Sequence, residues 1–409
     1  MPTIPSFLDP ATLDDPFDVY AELQARCPVY RLPENDTYML TRYDDVRRVL
    51  ADPSTFSSDV FPRAMVDADV VRAVGAVFSE QGWSRAQTLQ RTDRPLHTQY
   101  RRIIGQVLTR KRVDSLLPRI HELTNELIDA FADDGECEFV SQFALPLPGI
   151  VICEQLGLDA AEYPTFKRWA DAMLSAANRR LTVEEAVEQA EIEVAAQHHL
   201  AAEFADRRAH PQDDLITALV EGERDGEPLT MSELQDLMHQ LVTGGFETTT
   251  SAIATGMWLL VRHPDQLATL RADPSLLDNF IDESLRFDSP VAGLWRRATC
   301  PVDVDGARIP EGADVMVRFA AANRDPSKFE RPDVFDIRRE NASDHMAFGF
   351  GNHFCVGAWL ARSELRTAFT VLLERLDDFE LARPLDDVAH QFSFFLRPLK
   401  ALPIRFRVR

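Results

Sequence analysis

Cysteine is scarce in this chain: Cys27, Cys137, Cys153, Cys300 and Cys355 are the five in 409 residues. The count is odd and no two stand as C-x-x-C. That argues against a disulfide framework and a structural zinc site, so any thiol chemistry falls to one cysteine acting alone. No run approaches the ~18 apolar residues that a membrane-spanning helix needs. The first nine residues lack a basic stretch followed by an apolar one, which gives no signal for secretion. Positive charge is short as well: 44 Lys and Arg face 66 Asp and Glu, a net −22. So acidic a surface repels nucleic acid and anionic membranes, and neither is expected as a partner. With 17 glycines, 45% apolar residues and no Gly/Ser linker, the chain is neither collagenous nor disordered. These absences predict a cytoplasmic globular protein, and a monomer is expected. Residues 1–409 are read as one domain, although the length alone allows two or three of ~100–200 residues.

What is present is mostly helical period. Phe17, Tyr20, Leu23 and Cys27 lie near helical spacing before Pro28, and Asp44 to Leu50 reads as another helix. Between them, Val29 to Leu32 and Tyr38 to Leu40 read as a small hairpin. Residues 57–92 show no clean period and read as a binding loop or lid. Val113, Leu116, Leu117, Ile120, Leu123, Leu127 and Phe131 form one stripe, and a second helix runs from about Val183 to Arg208. A long helix opens at Thr230 with Glu233 three residues on, a capping-box pattern, and runs to about Arg262. Beyond residue 300 short strands follow, among them Val302 to Val304 and Val315 to Val317.

Two segments break local rules. The long helix carries Thr243-Gly244-Gly245-Phe246-Glu247-Thr248-Thr249-Thr250-Ser251 at its centre. Each Gly costs roughly 1 kcal/mol against Ala in a helix interior. Close packing of a neighbouring helix would explain it. So would a backbone opened toward a flat ligand, with Glu247 and Thr248 offering an acid and a hydroxyl. The second segment is Phe348-Gly349-Phe350-Gly351-Asn352-His353-Phe354-Cys355-Val356-Gly357, followed by a helix from Ala358 to Leu373. Glycines permit a tight turn that pins the sulfur. The helix start aims unpaired N–H groups and a positive dipole end at a thiolate, and Gly357 leaves room beside it.

Phe348 to Gly357 matches F-x-x-G-x-x-x-C-x-G, the cysteine-ligand signature of the cytochrome P-450 superfamily, at every fixed position. Gly244 to Thr248 resembles that family's oxygen-activating segment, and Glu283-Ser284-Leu285-Arg286 resembles its E-x-x-R pair. An i,i+3 ion pair alone would carry nothing, but in this order and separation it does. Asp14-Asp15-Pro16-Phe17 and Asn323-Arg324-Asp325-Pro326 extend the resemblance over nearly the whole chain. It implies a mainly α fold, a large helical domain with a smaller β-containing region around a buried haem b. It implies a soluble, bacterial-type haem-thiolate monooxygenase that hydroxylates an apolar small or medium organic substrate. Dioxygen is the oxidant, and two electrons come from NAD(P)H through a ferredoxin reductase and a ferredoxin. No flavin segment or cysteine cluster in the chain could carry them.

The residue assignments follow the same resemblance. Cys355 would ligate the iron, and Phe348, Gly349, Gly357 and Gly244 would shape the haem site. His97, Arg101, Arg296 in R-x-x-T, and His353 would bind the two propionates, because tucked-in carboxylates need charged donors. Thr248 and Glu247 would order water and deliver protons. Glu283 and Arg286 form the structural pair. At the meander position where family members often carry a third partner, this sequence has Val334, with Arg331 or another group as substitute. Candidate pocket residues are Phe61, Trp83, Met173, Leu174, Phe246, Val291, Leu294, Phe394 and Phe395, with Arg85, Arg179 or Arg180 as anchors for an acidic substrate. Between Arg94 and Arg119 seven cations face one acid, Asp114, and Arg102, Arg110, Lys111 and Arg112 read as a docking patch for an acidic ferredoxin. Two rivals differ in class: a peroxide-driven haem peroxygenase, which the Glu247–Thr248 pair argues against, and a non-catalytic haem-binding sensor, for which no signalling segment appears.

Overall fold

The computed structural model describes residues 4–7, 9–60, 67–178, 181–384, 388–393 and 395–409. Helices lead. In chain order they are α1 (Pro10–Asp14), α2 (Phe17–Arg26), α3 (Tyr43–Ala51), α4 (Ala68–Gln81), α5 (Leu96–Val107), α6 (Arg110–Asp129), α7 (Pro146–Gln155) and α8 (Tyr163–Asn178). Then come α9 (Val183–Ala209), α10 (Leu215–Val220), α11 (Met231–Gly245), α12 (Glu247–Arg262), α13 (Pro264–Ala272), α14 (Leu277–Phe287), α15 (Phe319–Ala322) and α16 (Ala358–Arg375). The strands are β1 (Val29–Arg31), β2 (Tyr38–Leu40), β3 (Phe56–Ser57), β4 (Glu136–Glu138), β5 (Glu223–Arg224), β6 (Glu227–Pro228), β7 (Leu294–Ala298), β8 (Val302–Val304), β9 (Ala307–Ile309), β10 (Asp314–Val317), β11 (Leu376–Leu381) and β12 (Pro403–Val408).

The strands form a five-stranded sheet ordered β1-β2-β10-β7-β3, a three-stranded sheet β11-β12-β4, and the hairpins β5-β6 and β8-β9. In the largest sheet β10 runs parallel to β2 and antiparallel to β7, pairing Val315 with Arg296. That register fixes where Arg296 stands. One apolar core gathers α6, α12, α14 and α16, and a second gathers α5 and α8 to α11. A third lies between α3 and the five-stranded sheet.

Local chemistry explains most boundaries. Thr182 with Glu185, and Thr230 with Glu233, close complete capping boxes at α9 and α11. The stripe on α6 is buried through Val113, Ile120 and Leu123, and Phe131 stays buried just past the helix end.

Two expectations change. The segment 57–92 contains α4, a 14-residue helix whose Val77 and Phe78 pack on Ala190 and Val194 of α9. Its apolar residues are not confined to one side, since Val71 is exposed, so the helical period was blurred. The long helix, read as continuous to Arg262, is interrupted at Phe246, where ψ falls to −71°.

Candidate active site

The turn before Cys355 needs glycine. Gly349 and Gly351 hold φ of +73° and +72°, and a Cβ on Gly351 would stand 2.7 Å from the Leu50 carbonyl oxygen. The Cys355 N–H donates to the Phe348 carbonyl at 2.9 Å, which closes the loop. The sulfur then meets the start of α16, where the N–H groups of Gly357 and Ala358 donate to it. A Cβ on Gly357 would lie 3.9 Å from Sγ. Cys355 is accessible yet set among many protein atoms. That desolvation raises the thiol pKa, while the two N–H groups and Arg101 oppose it.

Four basic side chains converge nearby from separate elements. His97 and Arg101 come from α5, Arg296 from β7 and His353 from the cysteine loop. The rings of His97 and His353 are 4.1 Å apart. Arg101 donates to the Phe354 carbonyl at 2.5 Å, and the His353 Nε2 meets the Ser58 hydroxyl at 3.0 Å. Burial, then Arg296, His97 and Arg101, push His353 down to about 3. Burial also lowers Arg296 to about 10. The His97 Nε2 is buried without a hydrogen-bond partner among the described residues. Among the described residues the anionic groups acting on this cluster are Asp93, set behind it through Ser57 and the Ser58 N–H, and the Cys355 sulfur near Arg101. Ser58 and Asp93 were missed in the sequence, although Asp93 stands just before α5 and its carbonyl accepts from the His97 N–H. Arg297 turns away to Asp314 at 2.8 Å, so Arg296 alone enters the cluster.

At the α11–α12 break, hydroxyls bond back to carbonyls one turn earlier. Thr243 reaches His239, Thr248 reaches Gly244 at 2.7 Å, Thr250 reaches Phe246, and Ser251 reaches Glu247. Gly244 is accessible although its helix is otherwise largely buried, and a Cβ there would meet nothing within 4 Å. Glu247 is buried, and desolvation, reinforced by Asp171, raises its carboxyl to about 7. An acid that exchanges its proton near neutrality is thus followed in the helix by a hydroxyl whose own proton is committed.

This geometry agrees with comparisons to known proteins. The family model described as cytochrome P-450 matches residues 159–402. The chain belongs to the cytochrome P-450 family. It is 38% identical to cytochrome P-450 107B1 of Saccharopolyspora erythraea over 97% of this chain and 96% of that one. It is 34% identical to 6-deoxyerythronolide B hydroxylase of the same species, over 99% of each. The solved structure of cytochrome P-450 CYP109Q5 from Chondromyces apiculatus superposes with a TM-score of 0.86 at 33% identity, covering 99% of this chain and 98% of that one. The protein is therefore a cytochrome P-450 monooxygenase with the mainly α fold of that family, and its cofactor is haem with an axial cysteine thiolate.

The residues present suit that group. The orphaned His97 nitrogen and the anion-poor cluster match two carboxylates, and Gly244 and Gly357 leave clearance where side chains would intrude. The E-x-x-R pair is fully buried, with Arg286 donating to both Glu283 oxygens at 2.7 and 2.8 Å. Its third partner is Arg339, whose Nε lies 3.1 Å from each Glu283 oxygen. Val334 and Arg331 contribute only backbone carbonyls, as acceptors from Arg339. The chain loops between Glu330 and Arg339, so counting along the sequence stops five residues short.

The pocket candidates divide. Residues 291–292 and 395–396 are paired through the backbone: Val291 bridges Leu396, and Ala292 donates to the Phe395 carbonyl at 2.6 Å, while the Phe395 ring meets Trp295 edge-on. Leu294, on the opposite face of β7 from Trp295, packs with Val291 against the third core. Phe246 does not join them. It is fully buried beside Phe166 and over Gly149, where a Cβ would come within 2.6 Å of its ring. Trp83 lies against His198 of α9, Leu174 is buried, and Met173 packs on the second core. Phe61, Phe394, Arg179 and Arg180 lie outside the described residues. Arg85 is engaged by Glu193 and His239, so it is not a ready anchor for an acid.

The basic patch is also smaller than expected. Arg112 pairs with Asp213 at 2.6 Å, Arg119 with Glu122, Glu126 and Glu154, and Arg94 bonds Asn352. Arg102 and Lys111 are exposed, and Arg110 lies 4.1 Å over the Trp359 ring.

Proposed function

We propose that this monooxygenase hydroxylates an apolar organic molecule of small to medium size, with two electrons passed from NAD(P)H through a ferredoxin reductase and a ferredoxin. In this reading residues 1–409 work as one haem-bearing domain, with Cys355 as the iron ligand. His97, Arg101, Arg296 and His353 take the propionates. The bound haem supplies the activation of dioxygen. The observation that carries the reading is the broken helix, which resumes at the consecutive residues Glu247 and Thr248, with the buried Glu247 carboxyl raised to about 7. The Thr248 hydroxyl donates to the Gly244 carbonyl, so its lone pairs are left to accept from water. Glu247 then supplies protons along that water, which a peroxide-driven enzyme would not need. The backbone pairing of Val291 with Leu396 brings two apolar segments together, and the relative named for 6-deoxyerythronolide B acts on an organic substrate of its own.

Electron entry fits the Cys355 side. Arg94 and Arg101 bond residues 352 and 354, which brings the 94–111 segment beside the cysteine loop. Arg102, Arg110 and Lys111 would meet an acidic donor there.

The test is product formation from a compound panel, first ranked by spectral titration. NAD(P)H with ferredoxin and its reductase should give product, and peroxide alone should give little. The reverse pattern would overturn the proposal. In Cys355→Ser, monooxygenation and the long-wavelength band of the reduced CO complex should both disappear. If both survive, Cys355 is not the ligand.

A further inference from the structure

One carboxylate oxygen grips the cysteine loop on both sides. Asp282, next to Glu283 on α14, is buried. Its Oδ1 accepts from the His345 Nε2 at 3.3 Å and from the Arg362 Nη1. His345 precedes the loop and Arg362 follows it, one turn into α16, so both ends of the 345–362 segment meet at a single atom. The His345 tautomer is fixed, because its Nδ1 accepts the Ala347 N–H at 3.1 Å and Nε2 must carry the hydrogen. Burial favours a neutral His345, and the net effect of its neighbours holds Asp282 below the ordinary carboxylate range despite its own burial.

These partners converge on Phe348. The Arg362 guanidinium stands 5.1 Å over the Phe348 ring, and the His345 ring centroid is 5.8 Å away. The Phe348 carbonyl in turn accepts the Cys355 N–H. A cation on an aromatic face holds best when it is itself oriented, and Asp282 supplies that orientation. Arg366, one turn further along α16, makes a different contact, an exposed pair with Asp278.

The geometry points to Asp282 as a positioning residue for the thiolate: by clamping His345 and Arg362 it fixes the Phe348 ring and sets the charge felt at Cys355. This rests on Cys355 being the haem ligand. Removing the negative charge leaves Arg362 uncompensated, which favours the state with one more electron. Removing Arg362 does the opposite. A merely structural clamp would move both variants the same way.

The experiment is the one-electron midpoint potential of the holoenzyme, together with the persistence of the long-wavelength band of its reduced CO complex. Asp282→Asn should raise the midpoint and Arg362→Gln should lower it, and each should lose the band faster than wild type. Arg362→Lys should recover part of the band's lifetime. Arg366→Gln removes the same charge without touching Phe348, and should leave both readouts unchanged. Shifts of one sign in both variants, or an unmoved midpoint in Arg362→Gln, would overturn the proposal. If Asp282→Asn does not fold, Arg362→Gln against Arg366→Gln still decides it. Failure of the underlying reading looks different: wild-type protein would lack the long-wavelength band altogether.

Discussion

Glu247 and Thr248 are adjacent in sequence but take different parts in the proposed mechanism. Thr248 spends its hydroxyl proton on the Gly244 carbonyl, so in that mechanism it orders water without storing a proton. Thr248→Ala should keep haem and substrate binding while NAD(P)H consumption diverts toward peroxide and water. Product formed per NAD(P)H measures this, and an unchanged yield would remove Thr248 from the mechanism. Glu247 is the proton store of the proposed mechanism. With its carboxyl raised to about 7, it is a donor below that pH and an empty base above it. Product per NAD(P)H should therefore fall on an alkaline limb near pH 7, and Glu247→Gln should lower the plateau and flatten the limb. Stability follows the same sign. The folded state holds this proton through the interval from 4.5 to about 7 in which the unfolded chain loses it, so Glu247 destabilises the fold progressively as pH rises through that window. That gap corresponds to about 3 kcal/mol at most. Urea midpoints of Glu247→Gln relative to wild type should rise across the interval and then level off.

At the scale of elements, one buried knot joins α14 to the meander that leads into the cysteine loop. Glu283 accepts from Arg286 and Arg339, and its Oε1 also takes the Asp336 N–H. Arg286 donates to the Asn323 carbonyl, and the Asn323 side-chain oxygen accepts the Met346 N–H just ahead of the loop. A charge removed from the knot is felt along this path. Arg339→Met should destabilise the protein by about 2–4 kcal/mol, because it strands carbonyls and part of a buried carboxylate. Arg331→Met, which leaves the knot's side chains whole, should stay within about 0.5 kcal/mol. Thermal unfolding and haem loss on heating read both, and equal effects would dismiss Arg339 as the third partner.

For the whole molecule the net charge of −22 matters most. An acidic body repels an acidic ferredoxin everywhere except where cations outnumber acids, so a small basic area orients as well as attracts. Arg112 is tied to Asp213 and is a poor probe, because reversing it would also break its bonds to Asp213 and to Gln155 of α7. Arg102→Glu and Lys111→Glu should instead slow ferredoxin reduction of the haem at low salt and flatten its salt dependence. The Debye length shrinks from ~10 Å at 0.1 M to ~3 Å at 1 M. Substrate affinity should hardly change. Stopped-flow reduction checks this, and untouched rates in both variants would place the donor elsewhere. Among the described residues no helix is long and apolar enough to cross a membrane.

The sequence by itself determined what is written in short range. Glycines at positive φ, capping boxes and the spacing from Phe348 to Gly357 are local, because backbone strain and helix ends are settled within a few residues. The choice of Arg296 over Arg297 came from the R-x-x-T register of the family resemblance, and in the structure β7 turns the two side chains to opposite sides. Only the tertiary structure decided the rest. Arg339 reaches Glu283 across 56 positions, Asp282 spans 63 to His345, and Arg85 meets Glu193 across 108. Charge pairing of that kind depends on which elements pack together, and a count of cations along the chain cannot say which are already neutralised. The same holds for Phe246, whose place in the core was decided by the gap that Gly149 leaves on another helix.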